Sequence, residues 1–541
     1  MKHLPAIRSR QTLDRASLVC LLPCLLVIWA SAPGEAAQSD RGVAAFANSL
    51  PESCRALPSS SEQASDLIRG VIAHPTSDSY RTLGEVFAEQ SHLDCAVAAF
   101  KLALASDPKS WQTRYALGVT LLQAGNSKLA ARELQLVIEQ QPDAFMAHNA
   151  LGLALENLGI FEDARDRYEA AVKLDPSFAL GYYNLAHLAS LQKRPLAAVY
   201  FAQKAVSLEP SEPQFQLALA ISYSQNEKLQ QSVEVLRGLI NSHPDFIEAY
   251  LNLGAVYSRQ KHFPEAVENY RQALKLDPAN SDIVLSLGIA LIADSQPKAA
   301  IAVQKRYIAL KPRDFQGYAW LARAYKDLAQ YQQAAGALNE AFTLNGTDYD
   351  VCYNLGVVLI HLGNLAEAAE KLECAKMLAP ETADAHYQLA NVLRRLGQAN
   401  KAAAEMEAFQ NLKLQEAQTL RGIHYHNKGD ELLSAGEFEQ AAGQYQQALT
   451  LDPKNPRLHY NLSLALAKLG DAEGQEQELK KAIQIDPNLA PAYCRLGQLY
   501  HRRGNLKEAE QALQTAIEID PELFGAQECV ASLPATPKGS P

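Results

Sequence analysis

From Pro108 onward a proline recurs every 34 residues, at Pro142, Pro176, Pro210, Pro244, Pro278 and Pro312; Gly346 takes the next place and Pro380 the one after. Past an excess of five residues near 411–421 the step resumes at Pro453, Pro487 and Pro521. A fixed period of this length means that one supersecondary piece is built repeatedly and that neighbouring copies bury each other's apolar faces. With this proline as position 32, thirteen repeats run from Ser77 through Pro521.

Other columns keep the same register. Position 8 is glycine, alanine or serine in every repeat, from Gly84 to Gly497, and position 20 is alanine except at Ser232 and Gln475. Small residues at two such places let helix backbones approach closely, while larger apolar residues at positions 4, 7, 11 and 24 fill the surrounding space. Each repeat is therefore expected to be an antiparallel helix pair. The first helix ends near position 14, often at a glycine such as Gly125 or Gly363; the second opens at places such as Pro195 and Pro264, where a missing N–H costs nothing, and stops before position 32. On this pattern Tyr250, Leu253, Gly254 and Tyr257 of "YLNLGAVY" are packing residues, although out of context they resemble a catalytic cluster.

These columns (Leu-Gly at 7 and 8, an aromatic at 11 or 24, Ala at 20, Pro at 32) resemble the tetratricopeptide repeat over some 440 residues. The resemblance implies an all-α fold, a right-handed α-solenoid of about thirteen hairpins whose first helices line a concave groove. It also implies helical caps, since terminal repeats have no neighbour on one side. Residues 62–76 are expected to supply the N-terminal cap and 522–533 the C-terminal one. Repeats 1–10 occupy 77–416 and repeats 11–13 occupy 422–521. The junction at 417–421 lacks a proline stop and is either one long helix dividing the array or a hinge. Residues 37–61 and 534–541 have the composition of disordered segments.

The N-terminus has Lys2, Arg8, Arg10 and Arg15, then an apolar run from Ala16 to Ala32 and a small-residue stretch. This is the layout of a signal peptide over 1–36, cleaved after Ala36 or kept as an anchor, and it sets a secreted or periplasmic expectation. Contact with a membrane is expected only in the anchored case. Cys54 with Cys95, Cys352 with Cys374, and Cys494 with Cys529 are neighbours in order, so an oxidising compartment would permit three local bridges. Free cysteines acting as small buried hydrophobes are the simpler expectation.

A formal net charge of -10 lacks the footprint of a nucleic-acid binder. No phosphate loop, HExxH, GxSxG or dinucleotide fingerprint occurs, and repeats with caps use nearly all of the chain, so neither an enzyme nor a cofactor is expected. His424 and His426, two apart on a helix, diverge rather than converge on a metal.

Function is then expected on the groove, where the resemblance places positions 5, 6, 9, 12 and 13. Position 6 holds Asn184, Asn252, Asn354, Gln388, Asn427 and Asn461. The row resembles the asparagine ladder of O-linked N-acetylglucosamine transferases, in which amides hold an extended peptide backbone; the alternative is that each amide bonds within its own hairpins. Tyr387 and Tyr460 at position 5, with Tyr115, Tyr183 and Tyr353, are either binding anchors or inter-repeat packing. Arg323, Lys326, Arg394, Arg395, Lys468 and Arg502 make the groove of repeats 8–13 basic against Asp327 and Asp430. Repeats 5–7 are apolar there, with Leu217, Ile221, Leu251, Leu285 and Ile289. The expected partner is a protein or peptide segment rich in carboxylates or ending in a free C-terminus. The expected role is an extracytoplasmic scaffold for an envelope or secretion complex. The alternative is a substrate-presenting subunit for a separately encoded enzyme such as a glycosyltransferase.

Overall fold

A computed structural model describes Cys54 and residues 75–519, and among them there are 25 α-helices and no strand. The segments read as signal peptide, linker, caps and tail lie outside the described residues, apart from Cys54, Pro75 and Thr76, as do residues 520 and 521 at the end of repeat 13. The chain forms two compact units, one ending at Lys311 and one starting at Pro312. The first holds seven hairpins, from Ser77–Glu89 with Leu93–Ser106 to Ser281–Ala293 with Pro297–Leu310. The second begins with Phe315–Asp327 and Tyr331–Leu344 and ends with Ala490–Arg502 and Leu506–Ile519. Within each unit the second helix of one hairpin packs on the first helix of the next, except where hairpins 10 and 11 share one helix, and this is the stacking of an α-solenoid.

Every hairpin reverses through one left-handed residue at position 15. Seven of these are glycines, from Gly125 (φ 76°) to Gly504 (φ 77°), and six are not: Ser91, Lys193, Glu227, Lys261, Ser295 and Ala329. An L side chain pays about 1–2 kcal/mol in that region, whereas glycine does not. Ala329→Gly, at φ 56°, is therefore expected to raise stability by up to about 1 kcal/mol in urea unfolding, and a loss would contradict the assignment of strain to this turn. After the position-32 stop the next helix starts at a cap. Ser110, Asn280, Asp348 and Asn455, all at position 34, accept hydrogen bonds from N–H groups of the following first turn.

The small column at position 8 is explained by position 24 of the same hairpin. A Cβ added to Gly84 would meet Phe100 at 2.7 Å, on Gly152 it would meet Tyr168 at 2.7 Å, on Gly254 Tyr270 at 2.8 Å and on Gly429 Tyr445 at 2.6 Å. Every aromatic at position 24 thus faces glycine, while alanine at position 8 faces smaller partners: Ala186 is paired with Ala202, Ala220 with Leu236 and Ala322 with Leu338. The alanines of position 20 lie buried beside this contact, and where Ser232 replaces one, its hydroxyl donates to the Ala220 carbonyl at 2.7 Å.

Position 4 does not follow the apolar expectation. Its side chains bury their bodies and turn a polar tip to the carbonyl of the preceding position 32. Arg114 reaches Pro108 O at 3.0 Å, His148 reaches Pro142 O at 2.9 Å, Gln216 reaches Pro210 O at 2.6 Å and Tyr250 reaches Pro244 O at 3.1 Å. In the second unit Tyr318, His386 and His459 do the same for Pro312, Pro380 and Pro453. These bonds satisfy a carbonyl that the helix end leaves without an intrahelical partner.

The stretch without a proline stop is one continuous helix, Ala399–Ala435, of 37 residues. It serves as second helix of hairpin 10 and first helix of hairpin 11, which is why thirteen hairpins contain 25 helices. No Pro or Gly occurs from 411 to 421, so nothing ends the helix, and residues 413–421 are exposed. At positions 3, 7 and 10, hairpin 12 buries Leu458, Leu462 and Ala465, whereas hairpin 11 exposes His424, Lys428 and Glu431. A polar face of this kind closes a stack instead of extending it.

The expectation of free cysteines is corrected. Cys54 is bonded to Cys95 and Cys352 to Cys374, with Cα–Cα separations of 5.5 and 6.0 Å that suit a bridge. Cys494 is also disulfide-bonded; Cys529, the partner expected from the order of cysteines, lies outside the described residues.

Candidate protein-binding face

The first helix of each hairpin carries the positions singled out for binding, and its side chains fall into two groups: those that bond within the chain and those that stand free of it. Asn184 belongs to the first group. It is buried, and its Nδ2 donates to Asn149 Oδ1 of the preceding hairpin at 2.8 Å. Asn461 Nδ2 meets Asp430 Oδ1 at 3.0 Å and His426 Nε2 at 3.1 Å, again one hairpin back. Gln388 hydrogen-bonds Tyr353 of the hairpin before it. Asn252 and Asn354 donate to carbonyls of their own helices, Glu248 O at 2.8 Å and Asp350 O at 2.7 Å.

Lys326 spans two hairpins by donating to Asn354 Oδ1 at 2.6 Å. Burial lowers its pKa, Arg323 beside it acts the same way, and Asp327 and Asp350 oppose them. Arg323 is itself paired to Asp327 at 3.1 Å. Of the tyrosines, Tyr115 is buried in the core, Tyr183 lies 5.3 Å from Phe215 and Tyr460 packs beside Leu479 and Leu496. Tyr387 stands 42% exposed with its ring 5.1 Å from Phe409.

The second group is Arg394, Arg395, Asn427, Lys468 and Arg502, all exposed. Arg394 donates to Asn391 Oδ1 at 2.7 Å, and none of the four cations pairs with a carboxylate among the described residues. Asp430 accepts from the Tyr445 hydroxyl at 2.7 Å as well as from Asn461. Arg394, Arg395, Lys468 and Arg502 thus stand on this face without an ion pair among the described residues.

Glu156, at position 12, is buried, accepting from Tyr168 at 3.0 Å and lying 2.8 Å from His187 Nδ1. Burial and the adjacent carboxylate push the Tyr168 hydroxyl well above its ordinary range. In the apolar stretch Leu217 and Ile289 are buried, while Ile221, Leu251 and Leu285 remain half-exposed. The polar latch of position 4 had a visible signal, since that column holds Tyr, His, Gln or Arg in all but Val284 and Cys352.

Two stacks of antiparallel hairpins with this register define a helical-repeat scaffold. Models of the tetratricopeptide repeat match residues 81–145, 115–166, 149–213 and 321–376, and others match 247–280, 429–470, 456–489 and 490–523. The chain belongs to the tetratricopeptide repeat family. That fold is typically a non-catalytic scaffold for protein–protein interaction.

A 200-residue stretch is 25% identical to the protein O-mannosyl-transferase TMTC3 of Homo sapiens, covering 36% of this chain and 22% of that protein. The chain thus spans about a fifth of that relative's length. Among solved structures it is similar to MamA, with 25% identity, a TM-score of 0.29 and coverage of 30% of this chain and 96% of that one. It is also similar to a chain of the APC/C hetero-tetramer Cut9–Hcn1, with 14% identity, a TM-score of 0.36 and coverage of 88% and 99%.

Proposed function

We propose that the protein is an extracytoplasmic scaffold that holds extended, carboxylate-rich polypeptide segments on the first-helix face of its second unit, within an envelope or secretion complex. The observation that carries this reading is the set of exposed cations Arg394, Arg395, Lys468 and Arg502, none of them ion-paired among the described residues. A free guanidinium can take a partner carboxylate in a two-pronged bond without first breaking an internal pair. The disulfides at Cys54–Cys95 and Cys352–Cys374 suit an oxidising compartment, in agreement with the signal-like N-terminus.

Arg394→Glu with Arg395→Glu is expected to weaken capture of partners from an extracytoplasmic fraction by about tenfold, roughly 1.4 kcal/mol, with far-ultraviolet circular dichroism unchanged. Quantitative mass spectrometry of the captured proteins reads the result; equal capture by both proteins would exclude this face. The second reading, a substrate-presenting subunit for a separate glycosyltransferase, draws on the partial similarity to an O-mannosyl-transferase. It requires an activity that appears only when both chains are present.

A further inference from the structure

Hairpins 10 and 11 break the stacking, and the break uncovers a side chain that the repeat otherwise packs away. Tyr183, at position 5 of hairpin 4, lies against Phe215 of the following hairpin with 5.3 Å between ring centroids. Hairpin 11 takes its first helix from the far end of Ala399–Ala435, so none is laid over Ala383–Arg395, the first helix of hairpin 10. Tyr387 is left exposed there, unlike the other tyrosines of position 5, with its ring held against Phe409 of the long helix at 5.1 Å. A ring supported by an aromatic neighbour and still open to solvent is a rigid platform for an apolar side chain.

Nearly two helical turns further on, Arg394 falls on the same face as Tyr387, with Asn391 between them and Arg395 beside it. Residues 351–366 and 385–404 contain no Asp or Glu, so the C-terminal ends of the first helices of hairpins 9 and 10, and the turns after them, carry no carboxylate. Glu367 and Glu405 lie on second helices; Glu405 is held by Lys376 and His386, and neither acid pairs with Arg394 or Arg395 among the described residues. Asp384 stands exposed at the opposite end, one turn before Tyr387. The face of hairpin 10 is therefore polarised along its axis: an acid first, then the aromatic platform, then two cations. Tyr387 and Arg394 are separated by about 10 Å of helix rise. A β-extended segment returns side chains to one side every second residue, at about 7 or 13 Å, whereas a polyproline-II segment does so every third, at about 9 Å.

We propose that hairpin 10 selects a polyproline-II segment in which an apolar side chain, seated on Tyr387, and a carboxylate, paired with Arg394 and Arg395, stand three residues apart. This rests on the polypeptide-binding reading above and adds a recognition rule to it. The test is fluorescence anisotropy of the full chain with short labelled peptides of Pro, Ala and Ser that carry one Leu and one Glu, spaced by two, three or four residues and in both orders. One order of the three-residue spacing is expected to bind at least about tenfold more tightly than the other peptides. Tyr387→Ala is expected to remove that preference with helical content intact, Tyr387→Phe to keep it, and Arg394→Glu with Arg395→Glu to abolish binding of every peptide. Binding that depends on the two arginines but is indifferent to spacing and to Tyr387 would overturn this proposal and leave the carboxylate-binding face standing. Peptides that fail to bind, or that bind the arginine variant as well as the wild type, would overturn both.

Discussion

Gly254→Ala is expected to destabilise the first unit by about 1–3 kcal/mol, the cost of an extra carbon forced into a packed contact. The added Cβ falls 2.8 Å from Tyr270, whose ring is buried and cannot retreat without disturbing hairpin 6. Burial also pushes the Tyr270 hydroxyl up to about 12, partly offset by its hydrogen bond with Ser258, so the ring enters this contact as the neutral phenol. The decisive result is the coupling. Ala220 already faces Leu236 and Ala322 faces Leu338, so Tyr270→Leu is expected to cost about 1 kcal/mol less in the Gly254→Ala background than in the wild type. Urea unfolding of the four proteins of this cycle reads it. Additive effects would mean that positions 8 and 24 do not set each other's size.

Gln304→Leu is expected to act in the opposite direction, stabilising the same unit by about 2 kcal/mol. Gln304 occupies position 24 of hairpin 7, is fully buried against Gly288, and neither its Oε1 nor its Nε2 has a hydrogen-bond partner among the described residues. Removing a buried, unpaired amide recovers its desolvation cost, about 1–3 kcal/mol for each polar group. Leucine already fits this geometry opposite glycine at Gly118 with Leu134 and at Gly356 with Leu372. A rise in the urea midpoint checks the prediction, and a fall would show that the amide is satisfied in solution.

Much of the architecture was legible because it depends on backbone approach, which small residues announce at fixed spacing. Gly84, Gly152 and Gly254 mark the close contact, and Pro108 with its successors marks each stop. The missing stop between Phe409 and Gly422 left a long helix and a hinge both open, and the structure has one helix there, Ala399–Ala435. The disulfides were not readable in the same way, since cysteine order gives no Cα separation. Binding residues were the least legible. A column number places a side chain on a face but does not say what it already bonds: Asn184 and Asn461 are engaged by neighbouring hairpins, Lys326 is held by Asn354, and Glu156 is buried with Tyr168. Arg394 and Arg395 differ from these because neither is ion-paired among the described residues.

The most direct measurement places a photocrosslinking amino acid at Asn427, exposed on the first-helix face, and in a second protein at Glu370, exposed on a second helix of the same unit. Irradiation in the native compartment is predicted to yield polypeptide adducts from position 427, competed away by the captured partner, and none above background from position 370. Adducts from Glu370 alone, or equal yields at both sites, would contradict binding on the first-helix face.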